Sequence, residues 1–212
     1  MNFEGAKRHS KGDGCICTAR DPEFGRVWRI LKPAPDKRAE IRGAEGFHQK
    51  VGDTYYIGWR WKFECDEHDL GFVTVFQWKS YGNHSQNYPF CMSFNGQRLF
   101  VTKYDPDWQK DRKTRVTRLW EHPAECGQWY TFIFGVKLGG SKEDGWIEFY
   151  FNNEKQELRT GGDRVAHRTM DGSEVAPKWG VYNDNCIGHE CNVYLTDMVI
   201  ATRYGALQSV MN

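Results

Sequence analysis

The chain has 212 residues, 39% hydrophobic and 27% charged, with 29 basic against 28 acidic groups, a balance that excludes a disordered segment, which would be poorer in apolar residues and further from neutrality. Its 22 glycines, 9 tryptophans, 10 tyrosines and 13 phenylalanines exclude a coiled coil, which concentrates Ala, Glu, Lys and Leu. A net charge of +1 also argues against a protein built to coat duplex nucleic acid, work that needs a strongly basic face, although local basic patches are allowed.

A chain of this length buries well over half of its unfolded surface and needs neither metals nor disulfides to supply a core. A single domain over residues 1–212 is expected, with residues 1–26 as an irregular N-terminal segment. The opening residues Met1, Asn2, Phe3, Glu4 and Gly5 lack the apolar centre of a secretory signal, and the longest apolar stretch, Tyr130 to Val136, is too short to cross a bilayer. The chain reads as soluble, with no membrane partner, either intracellular or secreted after removal of a leader.

Past Arg26, period-two alternation dominates and long stretches of 3.6-residue periodicity are missing. Strands are predicted over Val27 to Leu31 and Lys37 to Arg42; in the second, Arg38, Glu40 and Arg42 share one face while Ala39 and Ile41 share the other. In Asp53 to Cys65 the odd positions Tyr55, Ile57, Trp59, Trp61, Phe63 and Cys65 form a core face, and the even ones, including Tyr56, Gly58, Arg60, Lys62 and Glu64, form a wet one. Val73 to Ser80 turns Phe76 and Trp78 inward and Gln77 and Lys79 outward. Asn95-Gly96 is the strongest hairpin signal, joining Phe90 to Phe94 with Leu99 to Tyr104.

The polar run Asp105 to Arg118 reads as irregular. Strands follow over Trp129 to Leu138 and Trp146 to Asn152, with Gly139-Gly140 and Asn152-Asn153 marking reversals. Arg159 to Ser173 again reads as irregular, and loops of such length are commonly functional or mobile. Lys178 to Asn183 turns Trp179 and Val181 inward and Lys178, Gly180 and Tyr182 outward; Val193 to Thr202 is the last strand. About ten strands with short polar turns predict an all-β fold, two antiparallel sheets packed face to face as a β-sandwich or concanavalin-like jelly roll.

The seven cysteines are an odd number, so at least one is unpaired within the chain. Cys186 and Cys191 bracket a short loop that a disulfide can close; with His189 between them they also read as metal ligands, but zinc needs three or four ligands and no second cluster of suitable spacing exists. No metal is therefore expected. The sequon Asn83-His84-Ser85 permits glycosylation in a secreted protein.

Three separate strands thus bring cationic or amide side chains and one tyrosine to a non-core face, where Thr, Ser and mixed charges are the norm. The same segments carry a family resemblance. Arg38-Ala39-Glu40-Ile41-Arg42 resembles the Arg-(Thr/Ser)-Glu-Leu-Arg strand of alginate lyases in polysaccharide lyase family seven. Gln77-Trp78-Lys79 resembles their Gln-(Ile/Val)-His strand, and Lys178-Trp179-Gly180-Val181-Tyr182-Asn183 their Lys-Ala-Gly-x-Tyr-Asn strand, in the same order. Tyr56-Ile57-Gly58-Trp59, Gly127-Gln128-Trp129-Tyr130, and Gly145-Trp146-Ile147-Glu148 with Asn152-Asn153 are similar to the jelly-roll lyases related to glucuronan lyase and heparin lyase I. The resemblance spans about Arg38 to Val199.

It implies cleavage of an acidic, uronate-containing polysaccharide by β-elimination, with no cofactor and as a monomer. Removing the C5 proton, alpha to a carboxylate, requires donors or cations on that carboxylate, a base near C5 and an acid near the leaving oxygen. Gln77 and Arg42 fit the first role, an amide with a guanidinium fork. Tyr182 fits the acid, and also the base if neighbouring cations lower its pKa from about 10. Lys79 stands where the family carries His; a lysine is a base only when desolvated, so charge neutralisation is its expected task. His48, just after the Arg-rich strand, is then a further candidate base. Arg38, Glu40, Arg60, Lys178 and Asn183 are expected to bind substrate.

Plainer readings stand beside these: a cross-strand ion-pair ladder for Arg38, Glu40 and Arg42, surface positions for Gln77 and Lys79, a loop histidine, an ordinary strand tyrosine. Trp108 or Trp120 can stack on a sugar, and the run Lys110, Arg112, Lys113, Arg115, Arg118 would concentrate an anionic polymer if it bordered the cleft. The alternative to a lyase is a non-catalytic, lectin-like carbohydrate binder. A glycoside hydrolase would need two carboxylates flanking the bond, and Glu40, Glu148 and Asp184 form no pair by strand parity.

Overall fold

The alternation read from the sequence is realised as strands in the computed structural model, which describes residues 7–10, 14–34, 36–44, 47–64, 71–82, 85–160, 162–182 and 190–211. In chain order the elements are β1 (Lys7–Ser10), β2 (Cys15–Asp21), β3 (Gly25–Lys32), β4 (Arg38–Arg42), β5 (Thr54–Glu64), β6 (Val73–Tyr81), β7 (Phe90–Phe94), β8 (Arg98–Tyr104), α1 (Arg112–Arg115), β9 (Val116–Pro123), β10 (Trp129–Lys137), β11 (Trp146–Phe151), β12 (Glu154–Lys155), β13 (Val165–Ala166), β14 (Glu174–Tyr182), β15 (Cys191–Ala201) and α2 (Tyr204–Met211). They form two antiparallel sheets, β1-β4-β14-β6-β7-β8-β9 and β12-β11-β10-β5-β15-β3-β2, with β13 beside β11.

The inward faces meet in a core made largely of rings. Trp59 of the second sheet stacks on Phe76 of the first at 4.7 Å between centroids, Phe76 on Phe134 at 5.4 Å, and Phe134 meets Phe149 at 4.7 Å. Such pairs contribute about 0.5–1.5 kcal/mol each beyond the area they bury. Ala39, Ile41, Phe76, Trp78, Trp179 and Val181 all lie in this core. Because strand side chains alternate, their neighbours Glu40, Gln77 and Lys178 face out of the first sheet.

The hairpin expected at Asn95-Gly96 forms: the Asn95 side-chain oxygen accepts from the Arg98 amide at 2.8 Å, and Gly96 has φ +88°. Asn152 and Asn153 both take positive φ between β11 and β12, the geometry of a tight two-residue hairpin.

Several expectations are corrected. Residues 1–26 are not irregular throughout, since β1 pairs with β4 and β2 with β3 along its whole length. Within β2 only Ile16 and Asp21 are buried, because an edge strand packs little of its length against the core and so shows weak alternation. Asp105 to Arg118 contains α1, capped by Asp111, and the start of β9. β14 begins at Glu174 rather than Lys178; Pro177 disguises its first half, since proline cannot donate to a ladder and is unusual within a sheet. α2 seats Leu207 against Gly58 on the outer face of the second sheet. Cys15 and Cys17 are joined as a disulfide. Cys191 is buried, whereas Cys65, Cys186, His189, Asn83 and His84 lie outside the described residues.

Candidate active site

Strand register gathers the outward residues of the first sheet. Lys178 lies opposite Arg42 on one side and Gln77 on the other. Gln77 lies opposite Cys91, Cys91 opposite Thr102, and Thr102 opposite Arg118. These residues form a transverse row from β4 to β9, five inter-strand steps or about 24 Å long at ~4.8 Å each.

At one end of the row, Glu40 is only 2% exposed although it points away from the core. Its carboxylate accepts from Gln77 Nε2 at 2.6 Å and from Lys178 Nζ at 2.7 Å, with Arg38 Nη1 at 3.6 Å. Gln77 and Lys178 are themselves 3% and 4% exposed. A buried charge is tolerated when paired and hydrogen-bonded, and Glu40 is both. Expected to bind substrate, it instead has its carboxylate occupied by these donors and holds them in place. Burial holds the Lys178 ammonium below the usual lysine range; Glu40 opposes that shift, while Arg38 and Arg42 add to it.

Two arginine–tyrosine pairs flank this centre. The Arg38 guanidinium lies 4.2 Å from the ring centroid of Tyr182, and that of Arg42 lies 4.4 Å from the ring of Tyr81, both within cation–π range. Tyr182 is partly exposed. It reaches its place through a bulge in β14, which runs from Trp179 to Tyr182 while β6 runs only from Phe76 to Thr74; such a bulge re-aims the side chains beyond it. Gly180 permits it: its φ is +141°, and a Cβ there would stand 2.2 Å from the Ala39 carbonyl oxygen.

Tyr81 was not among the sequence candidates. It continues the Gln77, Lys79 parity one step beyond Ser80, where the predicted strand stopped. Its hydroxyl is buried beside Arg42 without an aligned hydrogen bond among the described residues. Burial pushes that phenol up, with Arg42 opposing, so it is poorly placed to exchange protons with a ligand.

Lys79 donates to the Asn87 side-chain oxygen and, at 3.3 Å, to the Asn87 carbonyl. Burial brings its pKa down to about 8, Lys178 and Arg38 adding to the shift and Glu40 opposing it. Further along the row, burial pushes the Cys91 thiol up, and Tyr104, the acceptor of its S–H at 3.4 Å, is likewise pushed far above the usual phenol range. Neither serves as an acid or base near neutral pH.

The remaining candidates lie elsewhere. His48 is exposed in the β4–β5 connection and its backbone carbonyl accepts from Tyr55; no hydrogen bond or ion pair among the described residues ties its ring to the row. Arg60 faces out of the second sheet, on the opposite side of the sandwich, bonded to Asp197 and to the Met211 carbonyl at 2.7 Å each. Even positions of β5 point away from the first sheet, so Arg60 cannot join the row. Asn183 and Asp184 lie outside the described residues. Trp108 is buried against Tyr88 and Tyr104, and Trp120 packs against Phe149 and Phe151; neither presents an open ring face. Glu148 is buried on the outer face of the second sheet with Arg164 and Lys155 at 2.7 and 3.1 Å, so it forms no pair with Glu40 across a bond. The patch therefore holds Arg38, Arg42, Lys79 and Lys178 around a single buried carboxylate, an arrangement suited to an anion with several negative groups.

A family model described as polysaccharide lyase matches residues 9–199. No curated protein matches the chain by sequence. Among solved structures it is similar to the endo-beta-1,4-glucuronan lyase from the fungus Trichoderma reesei, with TM-score 0.70, 11% identity, and coverage of 95% of this chain and 93% of that one. It is also similar to alginate lyase AlgAT5 from Polysaccharide Lyase family 7, with TM-score 0.57, 14% identity, and coverage of 84% and 79%. The binding domain of Botulinum Neurotoxin DC in complex with SialylT matches with TM-score 0.57 and 10% identity, over 97% of this chain and 46% of that one. At these identities the likenesses establish a shared jelly-roll fold, and fold alone does not fix a reaction.

Proposed function

Because this chain belongs to the polysaccharide lyase family, we propose that its substrate is a uronate polymer and that the patch around Glu40 carries out the elimination. What supports the reading most is that Gln77 and Lys178 both bond to one buried carboxylate, beside the Arg38–Tyr182 pair. Glu40 takes one N–H of the Gln77 amide and leaves the other for a ligand. Arg42, Lys178 and that second N–H then meet the uronate carboxylate, stabilising the negative charge that builds on it as the C5 proton departs.

Tyr182 removes the C5 proton as phenolate. The electrons of the C5–H bond form the C4–C5 double bond, the C4–O4 bond breaks, and the proton returns from Tyr182 to O4. No water is consumed and no oxidant is needed. Tyr182 has both tasks because Lys79, with its pKa at about 8, is mostly protonated near neutral pH and acts there as a cation rather than a base. The two tasks fall close together, since C5 and O4 are two bonds apart. One group serving both atoms requires the C5 hydrogen and O4 on the same face of the ring, as in glucuronate and mannuronate and not in guluronate or galacturonate. Lys79 supplies positive charge to the carboxylate.

The test is incubation with glucuronan, mannuronate-rich alginate, heparin and pectate, following the ultraviolet band of unsaturated uronate. Glucuronan or mannuronate-rich alginate should give a rise that Tyr182→Phe reduces by at least 100-fold, the lower end of the effect of a positioned acid–base group. Binding with no rise in any polymer would make the chain a carbohydrate binder, and new reducing ends without the chromophore would make it a hydrolase.

A further inference from the structure

At the β8–β9 end of the outward face, three guanidinium groups share one carboxylate. Arg159 Nη2 lies 2.9 Å and Arg98 Nη2 3.5 Å from Glu121 Oε1, while Arg118 Nη1 lies 3.3 Å from Glu121 Oε2. Among the described residues, three positive charges thus share one negative charge there. Beneath them is an aromatic pair: the Arg118 guanidinium lies 4.1 Å from the ring centroid of Phe100, and Phe100 meets Phe72 at 5.0 Å. Phe100 is an outward residue of β8, opposite Glu121. Phe72 leaves 53% of its surface open to solvent, among the largest exposures of an apolar side chain in the described residues.

This cluster is collinear with the candidate centre. Arg118 ends the row that begins at Arg42, about 24 Å away by strand spacing, and of the basic run from Lys110 onward it is the member that enters that row. Guanidinium forks match carboxylates, and an aromatic face accepts the apolar side of a ring. Exposed ion pairs contribute little to stability, so folding gives no reason to hold three arginines on one glutamate beside an open phenylalanine.

We propose that Arg98, Arg118 and Arg159, with Phe72 and Phe100, form a distal subsite that holds uronate residues of a long chain remote from the bond being cleaved. The inference rests on the uronate-lyase reading above. It makes the enzyme selective for length, because a short oligouronide bound at Tyr182 cannot reach Arg118.

The experiment compares wild type, Arg118→Gln, Arg159→Gln and Phe72→Ser, with Arg203→Gln, an exposed arginine beside α2, as a matched charge control. Mobility is measured in native gels containing polyglucuronate, polymannuronate or a neutral glucan, and kcat/KM is measured on long polymer and on short oligouronides. The distal subsite predicts that the ratio of kcat/KM for polymer over oligomer falls about tenfold in Arg118→Gln, the loss expected for one charge-assisted contact, and about threefold in Phe72→Ser, which loses an aromatic face. Retardation in the polyuronate gels should weaken in parallel, and Arg203→Gln should match wild type. An unchanged ratio, or an equal loss on short and long substrates, overturns the subsite while the lyase reading stands. If wild type is retarded but cleaves nothing, the lyase reading fails and gel retardation alone decides the subsite. If wild type is neither retarded nor active on any polyuronate, both fall. Arg159→Gln lies outside the β8–β9 ladder and carries the test should Arg118→Gln fold poorly.

Discussion

Replacing Lys79 by arginine should remove the alkaline limb of the pH profile. The Lys79 ammonium rests on Asn87, 5.7 Å from the Tyr81 ring centroid. Burial, with repulsion from Lys178 and Arg38 against attraction by Glu40, sets its pKa at about 8. At pH 7 about nine side chains in ten are then charged, and at pH 9 about one in ten. If that charge helps hold the uronate carboxylate, the wild-type kcat/KM, which reports the free enzyme, should fall by up to about tenfold relative to that of Lys79→Arg between those values, whatever the ionisation of Tyr182 adds to both. Arginine stays charged throughout, so the profile of Lys79→Arg carries the Tyr182 ionisation without the loss of this charge. The assay is initial-rate formation of unsaturated uronate at constant ionic strength, because salt screens exposed charges. A wild-type rate that gains on that of Lys79→Arg through pH 8 would make Lys79 a base and refute the reasoning, as would a ratio of the two rates that does not change with pH.

Glu40→Gln should cost stability and turnover together: it strips the partner from a Lys178 that is only 4% exposed, and breaking such a pair costs about 3–5 kcal/mol. Urea denaturation at pH 7 checks this, and a loss below about 1 kcal/mol would mean the ammonium is not confined as described. Tyr182→Phe, by contrast, should shift stability by no more than about 0.5 kcal/mol. His167, buried with its ring 2.9 Å from the Pro89 carbonyl oxygen, has its pKa brought down to about 4 by burial. The unfolded chain therefore takes up this proton first as pH falls, and stability from this group, complete above about pH 6.5, should decline by about 3 kcal/mol on the way to pH 4. His167→Gln should lose less stability over that window, and equal acid sensitivity in both proteins would count against a neutral buried imidazole.

The fold was legible wherever a strand packs one whole face on the core. β5, β6 and β10 alternate so regularly that their inward rings, and therefore the outward direction of Gln77 and Lys178, follow from sequence. β1, β2 and β9 were missed because edge strands bury little and their patterns are correspondingly faint, and β14 was shortened by Pro177. At the site, parity correctly grouped Arg38, Glu40, Arg42, Gln77, Lys79, Lys178 and Tyr182 on one face. It could not show that Glu40 is buried among its neighbours, since the burial of an outward residue depends on which long side chains stand beside it on other strands. Nor could it separate Arg60, whose strand alternates just as cleanly but belongs to the other layer. Tyr81 was legible in principle, one position past the chosen end of its strand.

An elimination leaves every carboxylate on the polymer, so both fragments carry the same charge per sugar as the chain they came from. A cationic row cannot then distinguish product from reactant by charge. If the distal subsite exists, discrimination comes from reach: a fragment too short to run from β4 to β9 would give up the arginines at one end and depart, whereas a longer one would stay docked and be cut again. The breadth of the sheet, set by the number of strands between Arg42 and Arg118, would thus act as a ruler for when the enzyme lets go.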